Sequence, residues 1–519
     1  MADAPGKGSF LFKLGIALAA ATAADWLFVL QRGGSTIGYF ALALLALAVA
    51  SSLAARKRRA SRVALAVAAL FALILVLDPG PLALFLYWTA LTLAMLIPRT
   101  AHFDDGWRWA LRLVLHGAFS PFGLARDTWL AAAARRRRGP SGVHRKALVL
   151  VLPLLGTIIF VLLFAAANPL IEQALQRIQL SPRFSEEDFA YIIFWLFMLV
   201  MVWTLVRPPR VRLGPAGPGL DPDLALPGAT PDSVLLSLAA FNLVFALQNG
   251  LDLAFLWSGA RLPAGMTLAE YAHRGAYPLI VTALLAGLFV LATLRPGSAT
   301  AQSRPIRLLV TLWIAQNLLL VASTMLRTLD YIEAYSLTEL RIAALVWMGL
   351  VAIGLALICY RLLRGRSGAW LINANLLAAI LVLTACATVD FGRTAAAWNV
   401  RHAREVGGRG APLDLCYLHR LGPSALLPLI ELESRPLPTE LRERVAWLRG
   451  RAMANLAERQ ADWHGWTWRG AGRLAAATVL VEERQLPSIG GNRLCDGRPI
   501  PPSSPPPPGS EPLTSPAAE

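Results

Sequence analysis

The chain has 519 residues, of which 56% are hydrophobic and only 16% charged, with 16 Trp and a mean hydropathy of +0.53. A soluble domain carries about 25% charged residues, so this chain has too little polar surface to cover itself in water, and the excess apolar area is what lipid-facing helices require. The formal charge of +17 does not point to nucleic acid, because the basic residues fall in short clusters between apolar runs, the positive-inside pattern of a membrane protein.

Taken in order, Phe10–Leu30 is the first apolar run, preceded by Lys7 and interrupted by Lys13 and Asp25. The small residues at 21–24 admit a signal-peptide reading, but the run continues through Trp26–Leu30 and is expected to be a retained helix. Thr36–Ala54 is the second span. Arg62–Leu77 and Leu82–Ile97 form a hairpin around Asp78-Pro-Gly-Pro81, where Pro sets φ and Gly allows the reversal. The segment 99–146 is not a span. It interleaves Trp107, Arg108, Trp109, Arg112 and Trp129 ahead of Arg135–Arg138, which predicts an amphipathic segment on the membrane surface. A solvated basic loop is the plainer alternative. On the cytoplasmic leaflet each basic residue gains roughly 1 kcal/mol from anionic lipid, so such lipid is the expected partner there.

Ala147–Ala167 and Phe189–Val206 are the fifth and sixth spans, joined by a loop holding Glu172, Glu186, Glu187 and Asp188. A Pro/Gly/Asp linker follows Arg212. Val234–Trp257, Tyr277–Leu294, Leu308–Met325, Ile342–Leu363 and Ala369–Val389 complete about eleven spans. Lys7, Arg56–Arg62, 99–146, Arg207–Arg212, Arg295–Arg307 and Arg361–Arg366 alternate with loops poor in Lys and Arg. This places the amino terminus in the cytoplasm and the chain after Val389 outside, which in a bacterial inner membrane means the periplasm.

From Asp390 the chain is polar. Thr439–Arg459 has Leu441, Val445, Leu448, Met453 and Leu456 roughly on one helical face, and Trp466–Val481 suggests another helix. Cys416 and Cys495 bracket this part and pair as a disulfide in an oxidising compartment, or remain free thiols in a reducing one. Cys359 and Cys386 lie in apolar runs as packing residues. The stretch Pro501–Pro508 opens a tail without core-forming residues.

The expected fold is therefore all-α, a polytopic integral membrane helical bundle with a small, mostly helical extracytoplasmic C-terminal region. Its divisions are 1–98 (spans one to four), 99–146 (the basic segment), 147–231 (spans five and six with the linker), 232–389 (spans seven to eleven), 390–498 (the outer helical region) and 499–519 (the Pro-rich tail).

Candidate functional residues concentrate on two spans and one loop. On the ninth span Gln316, Ser323 and Arg327 share a face, with Asn317 and Thr324 beside them. On the seventh, Asn242, Gln248, Asn249 and Asp252 form a similar wedge. Such residues turn away from lipid, since an ionisable group at the bilayer centre costs at least ~2.5 kcal/mol. They line a polar seam, or they are interhelical hydrogen bonds that fix the packing at ~0.6 kcal/mol a pair.

Beyond Arg327 lie Asp330 and Glu333, then Ser336-Leu-Thr-Glu339 and Arg341. The spacing reads Asp330–Tyr335 as a short outer connection and Ser336–Glu339 as a capping box starting the tenth span. Thr267–Glu270 has the same form, which admits a parallel repeat of spans seven-eight and nine-ten, although capping boxes are common enough for coincidence. There is no Walker loop, G-x-G-x-x-G, H-E-x-x-H or G-x-S-x-G, and His402 and His464 have no ligand partner at useful spacing. No catalytic, cofactor-binding or metal-binding residue is assigned and no enzymatic activity is expected.

Three stretches carry a resemblance: Gly265-Met-Thr-Leu-Ala-Glu-Tyr-Ala-His-Arg-Gly275, Asp330–Arg341, and Trp398-Asn-Val400 continuing to Leu413–Leu418 and Asp462-Trp-His-Gly-Trp466. Over residues 232–480 these resemble a bacterial multi-pass membrane family classed only as a domain of unknown function, the four-one-seven-three type with its four-one-five-three relative. The chain departs from that pattern at His273, Ser336 and Trp398, where Arg, Gly and Tyr are usual. The resemblance implies a polytopic membrane protein without assigned activity. Three functional readings stand: a transporter or permease with the seam as its pathway; a non-enzymatic sensor or scaffold acting through its periplasmic region on a protein partner; and, third, a membrane-embedded transferase using Asp330, Glu333 and Glu339.

Overall fold

The computed structural model describes residues 7–100, 105–136, 186–208, 230–254 and 299–500, with single positions at 157, 282, 285, 288 and 289. Several expectations lie outside these residues: the spans at 147–167 and 277–294, Glu172, the linker after Arg212, the Thr267–Glu270 box with His273, and the tail from residue 501.

Among the described residues the regular structure is helical, with an isolated bridge between Arg493 and Pro499 and no strand. Among the described residues, eight helical segments are long and apolar enough to cross a membrane. They are formed by α1 (Lys7–Phe28), α4 (Arg59–Leu77), α5 (Pro81–Leu96, prolonged by a 3-10 turn through Arg99), α7 (Glu186–Val206), α8 (Pro231–Asp252), α9 (Arg304–Tyr335), α10 (Glu339–Arg364) and α11 (Gly368–Thr388). Their apolar side chains largely face outward. On α11, Leu377, Ile380 and Leu381 are exposed, an arrangement that water would penalise and hydrocarbon would not.

The second span departs from expectation. Ser52 takes an extended conformation and splits it into α2 (Thr36–Ser51) and the short α3 (Leu53–Lys57), which the Ser52 hydroxyl caps. At 1.5 Å per residue, α2 is about 24 Å long, short of the ~30 Å hydrocarbon core.

Two apolar cores organise the membrane part. The first joins α1, α2, α4, α5 and α7 around Phe71, Leu75, Tyr87, Leu91 and Trp203. Its close packing depends on Gly38, where a Cβ would lie 2.3 Å from the Val76 amide nitrogen. The second core joins α8, α9, α10 and α11 around Leu238, Val310, Trp313, Ile314 and Leu355.

The basic segment holds one helix, α6 (Gly106–Arg136). Trp109, Arg112, His116, Ser120 and Asp127 recur at helical spacing and are buried, while Val114, Phe119, Phe122 and Trp129 are exposed. Asp127 pairs with Arg207 at 3.2 Å and accepts from Trp203 Nε1 at 3.3 Å. The polar face thus turns to the protein and the apolar face away from it.

Beyond Val389 follow α12 (Phe391–His402), α13 (Leu415–Arg420), α14 (Leu426–Glu433), α15 (Thr439–Ala461) and α16 (Trp468–Glu483). Their core contains Val400, Leu418, Leu429, Leu432, Val445 and Leu448, with Leu456 in a neighbouring cluster. Cys416 and Cys495 are joined in a disulfide, and Cys359 and Cys386 are free. A buried pair, Arg449 Nε to Glu433 Oε2 at 2.6 Å, ties α15 to α14.

The reading of 330–339 needs correction. Asp330–Tyr335 is not a connection but the last turns of α9. The rings of Tyr331 and Tyr335 pack one turn apart at 4.9 Å and tilted by 50°, and Arg341 lies over Tyr331 while donating to the carbonyls of Tyr335 and Ser336. This satisfies acceptors that a helix C-terminus leaves open. Ser336 is not the N-cap. It stands after α9 at φ 71°, ψ 165°, and Thr338 caps α10, its hydroxyl accepting from the Arg341 amide at 3.4 Å. The Ser336 backbone lies in a region reached freely only by glycine.

Candidate functional site

The polar wedges of α8 and α9 face each other. Asn242 Nδ2 donates to Leu238 O on its own helix at 2.8 Å and to Leu309 O on α9 at 3.0 Å. Its Oδ1 accepts from Gln316 Nε2 at 2.7 Å. Two turns on, Asn249 Nδ2 donates to Gln316 O at 3.1 Å. Both helix-to-backbone bonds link residues 67 apart in sequence, so α8 and α9 run parallel. At the end of the seam Asp252 accepts from Arg327 and from Gln248 Nε2, the latter at 3.0 Å. The side chains of Asp252 and Arg327 are 4% and 7% exposed. Gln248 itself lies at the exposed margin.

One expected column does not contribute. Asn317 and Thr324 are buried, but they bond back to Trp313 O and Leu320 O of their own helix. At the opposite end Trp313 packs with Phe241, Phe245 and Phe289 at centroid distances of 5.3, 5.9 and 5.8 Å. Between Trp313 and Arg327 the seam extends about 21 Å along α9. Within it Asn249 Oδ1, Asp252 Oδ2, Gln316 Oε1 and Ser323 Oγ are buried without a hydrogen-bond partner among the described residues. Unpaired polar atoms in an apolar medium are costly, so this seam is a place where water or a polar solute would be stabilised.

The remaining site candidates serve a different structure. Leu337, in the three-residue link between α9 and α10, is gripped by Asn399 of α12: its N–H donates to Asn399 Oδ1 at 2.7 Å and its C=O accepts from Nδ2 at 2.9 Å. The Glu339 amide donates to the Tyr417 hydroxyl at 3.0 Å, and the Glu339 carboxylate lies beside Gly392. Glu339 is thus a docking contact, while Asp330 and Glu333 are exposed on the last turns of α9.

The same C-terminal helices hold two other links between membrane helices. Between α1 and α2, Ser35 N–H donates to Trp466 O at 2.8 Å, Arg32 pairs with Glu458 at 2.6 Å, and Trp26 packs on Trp463 at 5.2 Å. Between α4 and α5, Asp78 pairs with Arg469 at 2.8 Å, and Arg469 also donates to Thr388 O at the end of α11. Asp390, the N-cap of α12, pairs with Arg473 at 2.5 Å and accepts from the Ser424 hydroxyl at 3.2 Å. Burial opposes ionisation of Asp390. The Arg393 amide, the Arg473 guanidinium and the Ser424 hydroxyl outweigh it and hold the carboxyl below its ordinary range. Asp78 is displaced upward by burial, with the Asp390 charge adding to it and Arg469 only partly offsetting.

Sequence reasoning missed Asp78, Asp390, Asn399, Arg469 and Arg473. Asn399 and Asp390 carried local signals, a motif position and a polar residue directly after the last span. The Asp78–Arg469 pair joins residues 391 apart and has no local signal. No groups of His, Cys, Asp and Glu able to hold a metal ion occur among the described residues.

No curated protein and no solved structure matches the chain. A family model described as Domain of unknown function (DUF4153) matches residues 64–432. The match begins earlier than the resemblance over 232–480 implied and stops before α15, so the Asp462–Trp466 motif lies outside it. It spans α4 through α14, and with them the seam, the Asn399–Leu337 clasp and Asp390. With well over half its length matched, the chain belongs to the DUF4153 domain-of-unknown-function family.

Proposed function

We propose that this chain is a bacterial inner-membrane transporter-like protein whose α8–α9 seam is the route for a small polar solute or ion, closed by the aromatic cluster around Trp313 at one end and the Asp252–Arg327 pair at the other. The observation that carries this reading is the run of buried polar atoms without partners among the described residues between those two closures. Ionisable residues inside a membrane mark functional pathways more often than packing. The protein acts without a cofactor and without catalysing a reaction, and nucleic acid is not a partner.

The proposed topology has about eleven spans. Parallel neighbours α8 and α9 need the chain to return between them, which a span over 277–294 would do. Helix α7 runs antiparallel to α1, with Tyr191 on Asp25 at one end and Trp203 on Phe10 at the other. Because α6 packs at the Trp203 end, a crossing over 147–167 would connect α6 to the start of α7. With the amino terminus cytoplasmic, α6 lies on the inner leaflet, its exposed apolar face in anionic lipid, and α12–α16 are periplasmic. The Cys416–Cys495 bond supports an oxidising compartment. The motifs at 330–341 and 398–400 support a relation to the four-one-seven-three type.

The test needs no substrate. In a background with Cys359 and Cys386 replaced by alanine, Ser323→Cys and Gln316→Cys are exposed to membrane-impermeant thiol reagents. A water-accessible route labels both; protection of both in membranes would refute transport through the seam. The second reading, a scaffold or sensor acting through a periplasmic partner, is favoured by the clamping of α12–α16 onto three links between membrane helices. Under it the seam stays dry and removal of the chain after Asp390 abolishes function.

A further inference from the structure

A cleft of about 450 Å³ opens between α11, α12 and α16, lined by Thr388, Asp390, Arg393, Thr394, Arg469 and Arg473 among others. Three guanidinium groups meet a single carboxylate of the lining. Arg473 pairs with Asp390, and Arg469 is held by Asp78 from outside the lining. Arg393 is exposed and forms no ion pair among the described residues. Counting both carboxylates, the cleft retains one formal positive charge, and Arg393 is the group that can turn to a ligand.

Its level is set by neighbours that do not belong to it. The apolar helix α11 ends at Thr388 and α4 ends at Leu77, immediately before Asp78. At the same end Trp26, Trp463, Trp468 and Tyr39 are exposed large aromatics, with Trp468 Nε1 donating to the Tyr39 hydroxyl at 3.2 Å. Exposed Trp and Tyr gather where hydrocarbon meets headgroups. A cleft at the end of a lipid-facing helix and beside such a belt lies at the depth of lipid phosphates. The guanidinium fork matches phosphate oxygens in pairs, and a partly desolvated arginine gains from that geometry more than a lysine.

We propose that this cleft binds the phosphate group of an anionic lipid headgroup on the outer leaflet. This is a site separate from α6. It depends on the membrane location of the helices and not on transport through the seam. Bound there, the phosphate would bridge Arg393 of α12 to Arg473 of α16.

The experiment uses the full chain in lipid nanodiscs, with hydrogen exchange followed in peptides covering 388–396 and 468–477, a readout blind to lipid bound at α6. Discs containing phosphatidylglycerol are expected to protect these peptides relative to discs of phosphatidylcholine alone. Arg393→Gln, which leaves the Asp390–Arg473 and Asp78–Arg469 pairs intact, should remove that difference, and Arg393→Lys should retain part of it. Titrating phosphatidylglycerol should show about a tenfold or greater loss of apparent affinity in R393Q, the size expected for a charge-assisted hydrogen bond. Phosphatidylcholine discs with millimolar inorganic phosphate distinguish the sources. Protection by free phosphate alone would overturn the lipid assignment, and absence of that protection supports it. Equal exchange in both disc compositions, or a phosphatidylglycerol effect unchanged in R393Q, would overturn the site.

Discussion

Replacing Asn399 with leucine removes the amide that grips both backbone groups of Leu337. Asn399 and Leu337 are each 7% exposed, and the two bonds are 2.7 and 2.9 Å long. Leucine keeps the volume but leaves one N–H and one C=O buried without partners. Each such group costs about 1–3 kcal/mol, and partial access of water at this edge puts the pair at about 2–4 kcal/mol. The loss falls on the docking of α12 against the α9–α10 link and not on the membrane bundle. Amide hydrogen exchange of the Leu337 peptide in purified protein measures it directly. At ~2.7 kcal/mol the exchange-competent open form becomes about 100-fold more populated. Asn399→Asp retains the acceptor and loses the donor, so it should fall between. Exchange of Leu337 at the wild-type rate in N399L would refute the idea that this clasp holds the C-terminal helices to the link.

Ser336→Gly should stabilise the protein by about 1 kcal/mol or more, read as a higher melting temperature, because it relieves a backbone conformation costing ~1–3 kcal/mol in a residue with a Cβ. Arg327→Leu alone strands the buried Asp252 carboxylate and should cost about 3–5 kcal/mol in thermal unfolding, whereas adding Asp252→Leu should recover most of the loss; equal melting of the two variants would deny that the pair is coupled. The depressed Asp390 pKa adds stability that is present above the ordinary carboxylate value and lost as pH falls through the lower folded-state value. Asp78 has the opposite sign, its contribution fading as pH rises through its raised value. Asp390→Asn should therefore lower the melting temperature at neutral pH and flatten its fall below about pH 4. A reporter active only outside the cytoplasm, fused after Val389, is expected to be active, and an inactive fusion would invert the proposed orientation.

The sequence by itself determined that this is a helical membrane protein, because lipid-facing helices need long apolar runs and those runs are local. It also marked the polar wedges of α8 and α9, since residues seven apart share a helical face whatever surrounds them. The Ser336 assignment failed for a related reason. Both Ser336 and Thr338 are good N-caps by type, and the choice between them depended on how far α9 continued, which the Tyr331–Tyr335 ring contact and the Arg341 contacts decide. Only the tertiary structure paired Asp252 with Arg327, turned Asn317 and Thr324 back on their own helix, and showed Asp390, Asn399 and Arg469 as docking residues. Their partners lie tens to hundreds of residues away, and such contacts leave no periodic trace in the chain. The stretch around Asp330–Arg341 shows both limits: its charge and helical starts were visible in the residues, but its role as the seat of the C-terminal helices exists only once α12 and Tyr417 are packed against it.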